Sequence, residues 1–402
     1  MSFRSIAALA VVVAAARAGG AVAARLRQPR VLGELAAGLV LGNLVFAGVS
    51  ALDYLKTDPL LDFVSRMAII VLLFHASVES TVGDMKKLGL PALLIAACGI
   101  AGSFAAAWGM TRWLLPSASP FSRAFVGASL TATSVGVTAR TFRDLGYARS
   151  RTAHLILASA VVDDVLGLLI LAMMAASGAL PVIMLKATVF LVGGLAVGMF
   201  VSPRLLSLAS RSMAVVLLAA ALAFCFAMAW LASLFGLAPI VGAFAAGLAV
   251  EEWHYKDFID RREKTLDDLI TPLASWLVPV FFLVIGIRTD LSGLGHPTVI
   301  VVAAALTVAA IAGKQLCSLG AVAAGDAVDR VAVGLGMMPR GEVTLIYASL
   351  GANMMIAGRP VVSADIFLAL VMTVMATMVV TPVALKWRLG RVSSARRPSS
   401  AS

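Results

Sequence analysis

The stretch SAVVDDVLGLLIL, Ser159 to Leu171, sets two adjacent carboxylates, Asp163 and Asp164, inside an otherwise apolar run. The run from about Arg151 to Ser177 is long enough to cross a bilayer as one helix. At about 1.5 Å of rise per residue, Asp163 falls roughly 18 Å from Arg151, near the middle of such a span. Ionisable side chains there are expensive, so they face a cavity, pair with a partner and mark an ion or proton path. Successive side chains on a helix point about 100° apart, so one partner does not easily satisfy both acids. Two roles for the two acids are therefore expected, in preference to a structural pair held by polar neighbours or a loop placement.

The chain around this stretch has 402 residues, 61% of them hydrophobic and 13% charged. Many apolar runs approach 20 residues, which predicts an all-α polytopic membrane protein. Thirteen spans are expected, at about 5–24, 31–49, 60–79, 90–115, 121–140, 151–176, 181–201, 212–235, 238–251, 268–289, 298–321, 329–350 and 363–386. The formal net charge of +11 would suggest nucleic acid in a soluble protein, but here Lys and Arg cluster in alternate connections. These are Arg25, Arg27 and Arg30, then Lys86 and Lys87, then Arg140 to Arg151, Arg204 and Arg211, Lys256 to Lys264, Arg330, and the basic stretch from Lys386. By the positive-inside rule this places the N-terminus outside and the C-terminus in the cytoplasm, with no nucleic-acid partner.

The first span also has features of a signal peptide, with Arg4 before an apolar run and small residues in AVAA. Cleavage there would leave Arg25, Arg27 and Arg30 on the wrong side, so the span is retained. Glu251 to Asp267 is the longest polar connector, and residues 391–402 read as a disordered basic tail. No soluble domain is expected within these residues. Cys98, Cys225 and Cys317 lack the spacing of a disulfide framework or zinc site. No nucleophile motif or metal-ligand cluster suggests an enzyme.

Two spans are interrupted. The fifth reads GASLTATSVGVTAR, with Thr131, Thr133, Ser134, Gly136 and Thr138 at its centre; this mixture of hydroxyls, β-branches and glycine weakens a helix. The twelfth reads GLGMMPRGEVTLIY, where Pro339 and Gly341 break the helix and Arg340 and Glu342 bring charge to the break. Paired interruptions point to a transporter's midplane site, because unwound backbone offers carbonyl oxygens and half-helix ends offer dipoles. Lys314 lies deep in the eleventh span, either buried or snorkelling toward an end. If buried it needs a carboxylate to remain charged, and Asp163 or Asp164 is the expected partner, since Glu79 and Glu342 read as nearer the cytoplasmic ends.

In order, QPRVLGELAAGLVLGN (28–43), LLFHASVES (72–80), TATSVGVTAR (131–140), VVDDVLGLL (161–169), VGAFAAGL (241–248), PVFFLVIGIRTDL (279–291), the Lys314 span and MPRGEVTL (338–345) resemble bacterial sodium/proton antiporters of the second monovalent cation/proton antiporter family. The resemblance covers nearly the whole chain. It implies inverted repeats with two crossing broken helices, the fifth and twelfth spans, and a homodimer. It also implies a scaffold from residues 1–80 and 212–251, a linking helix at 181–201, and a mobile core from 90–176 and 268–386.

On the same resemblance Asp164 binds the cation and Asp163 pairs with Lys314. Thr131, Thr133 and Ser134 sit at the crossing, and Arg340 and Glu342 line the cytoplasmic approach with Glu79 as a further accessory acid. The chain departs from relatives at Asn43, where proline is usual, and over His75 to Val78, where an apolar stretch with glycine is common. These positions bear on gating and pH sensing. His75 is either a sensor titrating near neutral pH or a hydrogen-bonded structural residue, and His154, His254 and His296 read as boundary or loop residues.

A hard monovalent cation such as Na⁺ or Li⁺ takes oxygen ligands, which Asp164 and the fifth span supply. A bare carboxylate is costly in a membrane, so proton and cation compete for it, and competition suffices for exchange. The expected function is Na⁺ (or Li⁺) exchange for H⁺ across the cytoplasmic membrane by alternating access, without a cofactor. Asp163 and Lys314 supply a second titratable unit, which makes exchange electrogenic. The alternatives are K⁺/H⁺ exchange, sodium-coupled solute symport, and a membrane sensor that does not transport.

Overall fold

The computed structural model describes residues 3–47, 52–78, 89–147, 150–175, 180–210, 213–250, 265–325, 328–356 and 358–395. Sixteen α-helices run through these residues: α1 (Phe3–Arg25), α2 (Arg30–Gly42), α3 (Pro59–Val78), α4 (Gly89–Leu114), α5 (Pro120–Ser129), α6 (Val135–Asp144), α7 (Arg151–Ala175), α8 (Leu180–Ser210), α9 (Ala214–Leu234), α10 (Pro239–Leu248), α11 (Leu266–Arg288), α12 (Pro297–Gln315), α13 (Cys317–Gly320), α14 (Arg330–Gly336), α15 (Glu342–Asn353) and α16 (Ala364–Ala395). Every stretch expected to span the membrane contains a helix, and eight segments among the described residues are long and apolar enough to cross one.

Two local details depart from the sequence reading. The second span stops at Gly42, where Asn43 turns its side-chain amide back to the Leu39 carbonyl at 2.8 Å. The Asn43 side chain thereby occupies a carbonyl that the helix end leaves without a backbone partner. A two-residue antiparallel pair, Met355–Ile356 with Arg359–Pro360, joins α15 to α16; it is too short to show an alternating pattern. Glu79, the connector at 251–264, His254 and the end of the tail from 396 lie outside the described residues.

Packing divides the chain into two compact units, residues 1–87 with 168–288 and residues 88–167 with 289–402. In the first, α1, α2, α3 and α11 pack on one another, α10 packs against α3 and α9, and α8 lies on α9. Its core joins Ala8, Val12 and Ala16 to Leu55, Leu61, Val280, Leu283 and Ile287. The approach of α2 to α11 requires glycine: a Cβ on Gly38 would fall 2.2 Å from the Leu283 carbonyl oxygen. The apolar face of α11 is buried against α1, α2 and α3.

The same unit settles the environment of His75. Its Nε2 lies 2.8 Å from Asp267 Oδ1 and 3.3 Å from Thr271 Oγ1, tying the end of α3 to the start of α11. Beside it is a cavity of about 510 Å³ lined by Arg17, Arg30, Glu34 and Ser275 among others. His154 Nδ1 lies 3.0 Å from the Ser150 carbonyl at the start of α7, and His296 is the residue before α12.

In the second unit α12 packs against α4 and α16, and the broken helices α5/α6 and α14/α15 lie among them. Ile95, Phe142, Ile156, Cys317, Val333, Met337 and Leu385 form part of its core.

Candidate functional site

The site begins with a packing choice between α4 and α12. A Cβ on Gly102 would lie 2.4 Å from the Gly313 carbonyl oxygen, so the two helices meet backbone to backbone. Lys314 follows at once and is wholly buried, its side chain lying beside Gly99. Its Nζ donates to both oxygens of Asp163, each at 2.8 Å, and neither side chain is exposed. A buried ion pair of this kind is tolerated only where geometry is good and both charges are matched. Burial of Lys314 excludes the snorkelling reading, and the geometry selects Asp163 as its partner.

Asp164, the next residue, is half-buried. Its Oδ1 is shielded and makes no hydrogen bond among the described residues. Glu342 and Asp163 repel its charge and Lys314 attracts it.

Both expected breaks are present. Helix α5 starts with Ser119 accepting from Ser122 N at 3.0 Å and with Pro120 in its first turn, and stops at Ser129; α6 restarts at Val135. Helix α14 is capped by Asp329, which accepts from Val331 N and Ala332 N at 3.1 Å each, and stops at Gly336; α15 restarts at Glu342. Arg388 holds the same cap through Nε and Nη2.

The two breaks are bonded to each other. Ser134 N donates to the Pro339 carbonyl at 2.8 Å, Thr133 Oγ1 to the Met337 carbonyl at 2.9 Å, and Thr138 Oγ1 to the Gly336 carbonyl at 2.6 Å. Ser134 Oγ donates to Glu342 Oε2 at 3.2 Å. Thr131 Oγ1 donates to the Ala128 carbonyl at 2.8 Å. A hydroxyl that donates its proton keeps lone pairs free to meet a cation.

Arg340 lies at the second break, between Pro339 and Gly341. It is wholly buried at the crossing itself. Nη1 donates to the Ala132 carbonyl at 2.8 Å and the Thr131 carbonyl at 3.4 Å; Nη2 donates to Ser103 Oγ and the Ala310 carbonyl, both at 3.1 Å. The physical reason is that a helix end presents unsatisfied carbonyls with partial negative charge, and a fixed five-donor guanidinium answers several at once. Glu342, in the first turn of α15, complements the opposite dipole there.

Several participants went unanticipated. Thr377 Oγ1 accepts from Arg340 N at 3.1 Å, and Thr373 Oγ1 meets Thr307 Oγ1 at 3.3 Å. The signal was available in Thr373, Thr377 and Thr381, spaced by four on one face of α16, all buried. Ser103 carried no such signal.

Residues 9–389 match the family model described as sodium/hydrogen exchanger, transmembrane. The chain is 32% identical over 408 residues to the Na(+)/H(+)-K(+) antiporter GerN of Bacillus cereus, covering 99% of this chain and 100% of that one. It is also 32% identical to the high-affinity Na(+)/H(+) antiporter NhaS3 of Synechocystis, over 86% of this chain and 82% of the relative. In fold it is similar to the sodium proton antiporter MjNhaP1 of Methanocaldococcus jannaschii, with a TM-score of 0.71 and 15% identity over 98% of both chains.

Proposed function

Since the chain belongs to the sodium/hydrogen exchanger family, whose members are transporters of ions rather than enzymes and need no cofactor, we propose that it exchanges Na⁺ or Li⁺ for protons by alternating access. One observation carries the reading: Lys314 engages both oxygens of Asp163, while Asp164 keeps a shielded oxygen without a hydrogen-bond partner among the described residues. Asp164 is the exchanging group, taking a proton or a cation in turn. Hydroxyl or carbonyl oxygens of Thr131, Thr133 and Ser134 complete the cation's shell, in keeping with a hard ion's preference for oxygen.

Arg340 and Glu342 hold the crossing, and Glu79 serves the approach. Cation binding at Asp164 weakens the Asp163–Lys314 pair, and Lys314 then gives up a second proton and becomes neutral, which makes exchange electrogenic. The protein works as a homodimer in the bacterial cytoplasmic membrane, N-terminus outside and C-terminus in the cytoplasm. K⁺ is a second substrate to examine, because GerN is named for K⁺ as well as Na⁺.

Cation-induced dequenching of a pH dye in proteoliposomes tests the reading with Na⁺, Li⁺ and K⁺ in turn. The wild type is expected to respond to Na⁺ and Li⁺, and Asp164→Asn to respond to none. Exchange insensitive to imposed voltage would refute the second proton, and a K⁺-only response would move the substrate.

A further inference from the structure

We propose that Tyr347 is a positioning residue for the exchange site, setting where α7 stands relative to the two broken helices and thereby tuning cation affinity. The inference rests on the reading of Asp164 given above. Tyr347 lies on α15, five residues beyond Glu342, and is wholly buried. Its hydroxyl donates to the Gly167 carbonyl on α7 at 2.7 Å. Gly167 follows Asp163 by four residues and Asp164 by three, so it shares the face of α7 that carries the acids.

The same point of α7 meets the first break. A Cβ on Gly167 would stand 3.5 Å from Ala132 Cβ, an ordinary contact, so α7 passes directly beside the unwound segment. The Tyr347 ring is in turn seated edge-on against Phe125 of α5, with centroids 5.6 Å apart and planes at 71°. Phe125 also lies against Gly351, one turn beyond Tyr347 on α15, where a Cβ would come within 2.6 Å of the ring. One side chain on the half-helix leaving the second break therefore touches two further elements: the helix with the acids and the half-helix leading into the first break.

The hydroxyl is separable from the fold. The Gly167 carbonyl sits inside α7, where helix geometry already provides an acceptor role toward the N–H four residues on. Removing the phenol oxygen thus orphans no buried group, and the ring remains to fill its place. What is lost is the restraint on the separation of α7 and α15. Cation coordination depends on small displacements of oxygen ligands, so the loss is read in affinity before it is read in turnover.

The test measures exchange in proteoliposomes and thermal unfolding in detergent for wild type, Tyr347→Phe and Phe125→Leu. Tyr347→Phe is expected to raise the apparent KM for Na⁺ about fivefold, what one net hydrogen bond amounts to. Its maximal rate should stay within about twofold of wild type. Phe125→Leu keeps the hydroxyl and thins the packing, so its Tm falls while KM holds within about twofold. An unchanged KM for both Na⁺ and Li⁺ in Tyr347→Phe overturns the proposal. So does a Tyr347→Phe protein that fails to unfold cooperatively, because the hydroxyl would then be a folding requirement. If the wild type moves no protons with any cation, the functional reading fails instead.

Discussion

Lys314–Asp163 and His75–Asp267 each join a basic and an acidic group at 2.8 Å, one in each compact unit, but their surroundings differ. Both side chains of the first pair are fully enclosed; those of the second are 18% and 43% exposed. Water can replace a lost partner at His75 and has no access at Lys314. Equal geometry therefore does not mean equal consequence: enclosure turns a contact into a requirement, and exposure leaves it adjustable.

The sharpest way to break this contrast is to truncate one enclosed partner. Lys314→Ala should lower stability by about 3–5 kcal/mol, because Asp163 is left as an uncompensated buried charge. The double variant Asp163→Ala with Lys314→Ala should recover part of that loss; thermal unfolding in detergent, run as a double-mutant cycle, measures both. No recovery would mean that the pair acts through shape and not charge. An intermediate case is Asp329, which caps α14 and is gripped by a partly exposed Arg388. Asp329→Ala should cost roughly 1–2 kcal/mol, most of it the cap. At the exposed end, His75→Gln should change Tm by the equivalent of less than ~1 kcal/mol, as screened pairs do. A loss at His75 equal to that at Lys314 would erase the distinction.

The legible features were those in which chemistry conflicts with its surroundings. Two acids within VVDDVLGLL and a lysine within an apolar span are visible because charge in hydrocarbon demands a reason. Proline and glycine mark the break before Glu342, and hydroxyls with β-branches mark the one before Val135. Arg340 is legible as a charge at a break, but only the fold shows which carbonyls are there to receive it.

Helix α11 shows a different limit. Its hydropathy declares a span without stating which neighbours cover it, and the glycines that decide this, Gly38 and Gly286, are separated by most of the chain. Tyr347 and Ser103 stayed silent for a third reason. Their hydroxyls are unremarkable in any membrane helix until a partner from another helix is known.

Arg340 and Lys314 also permit a count of valence. Around α7 and the crossed breaks stand three carboxyl groups, Asp163, Asp164 and Glu342, and two fixed cations that cannot leave. With every group ionised, one negative charge is left over. On the exchange proposed above, one monovalent cation at Asp164 balances that charge while Lys314 stays protonated, whereas a divalent ion overshoots.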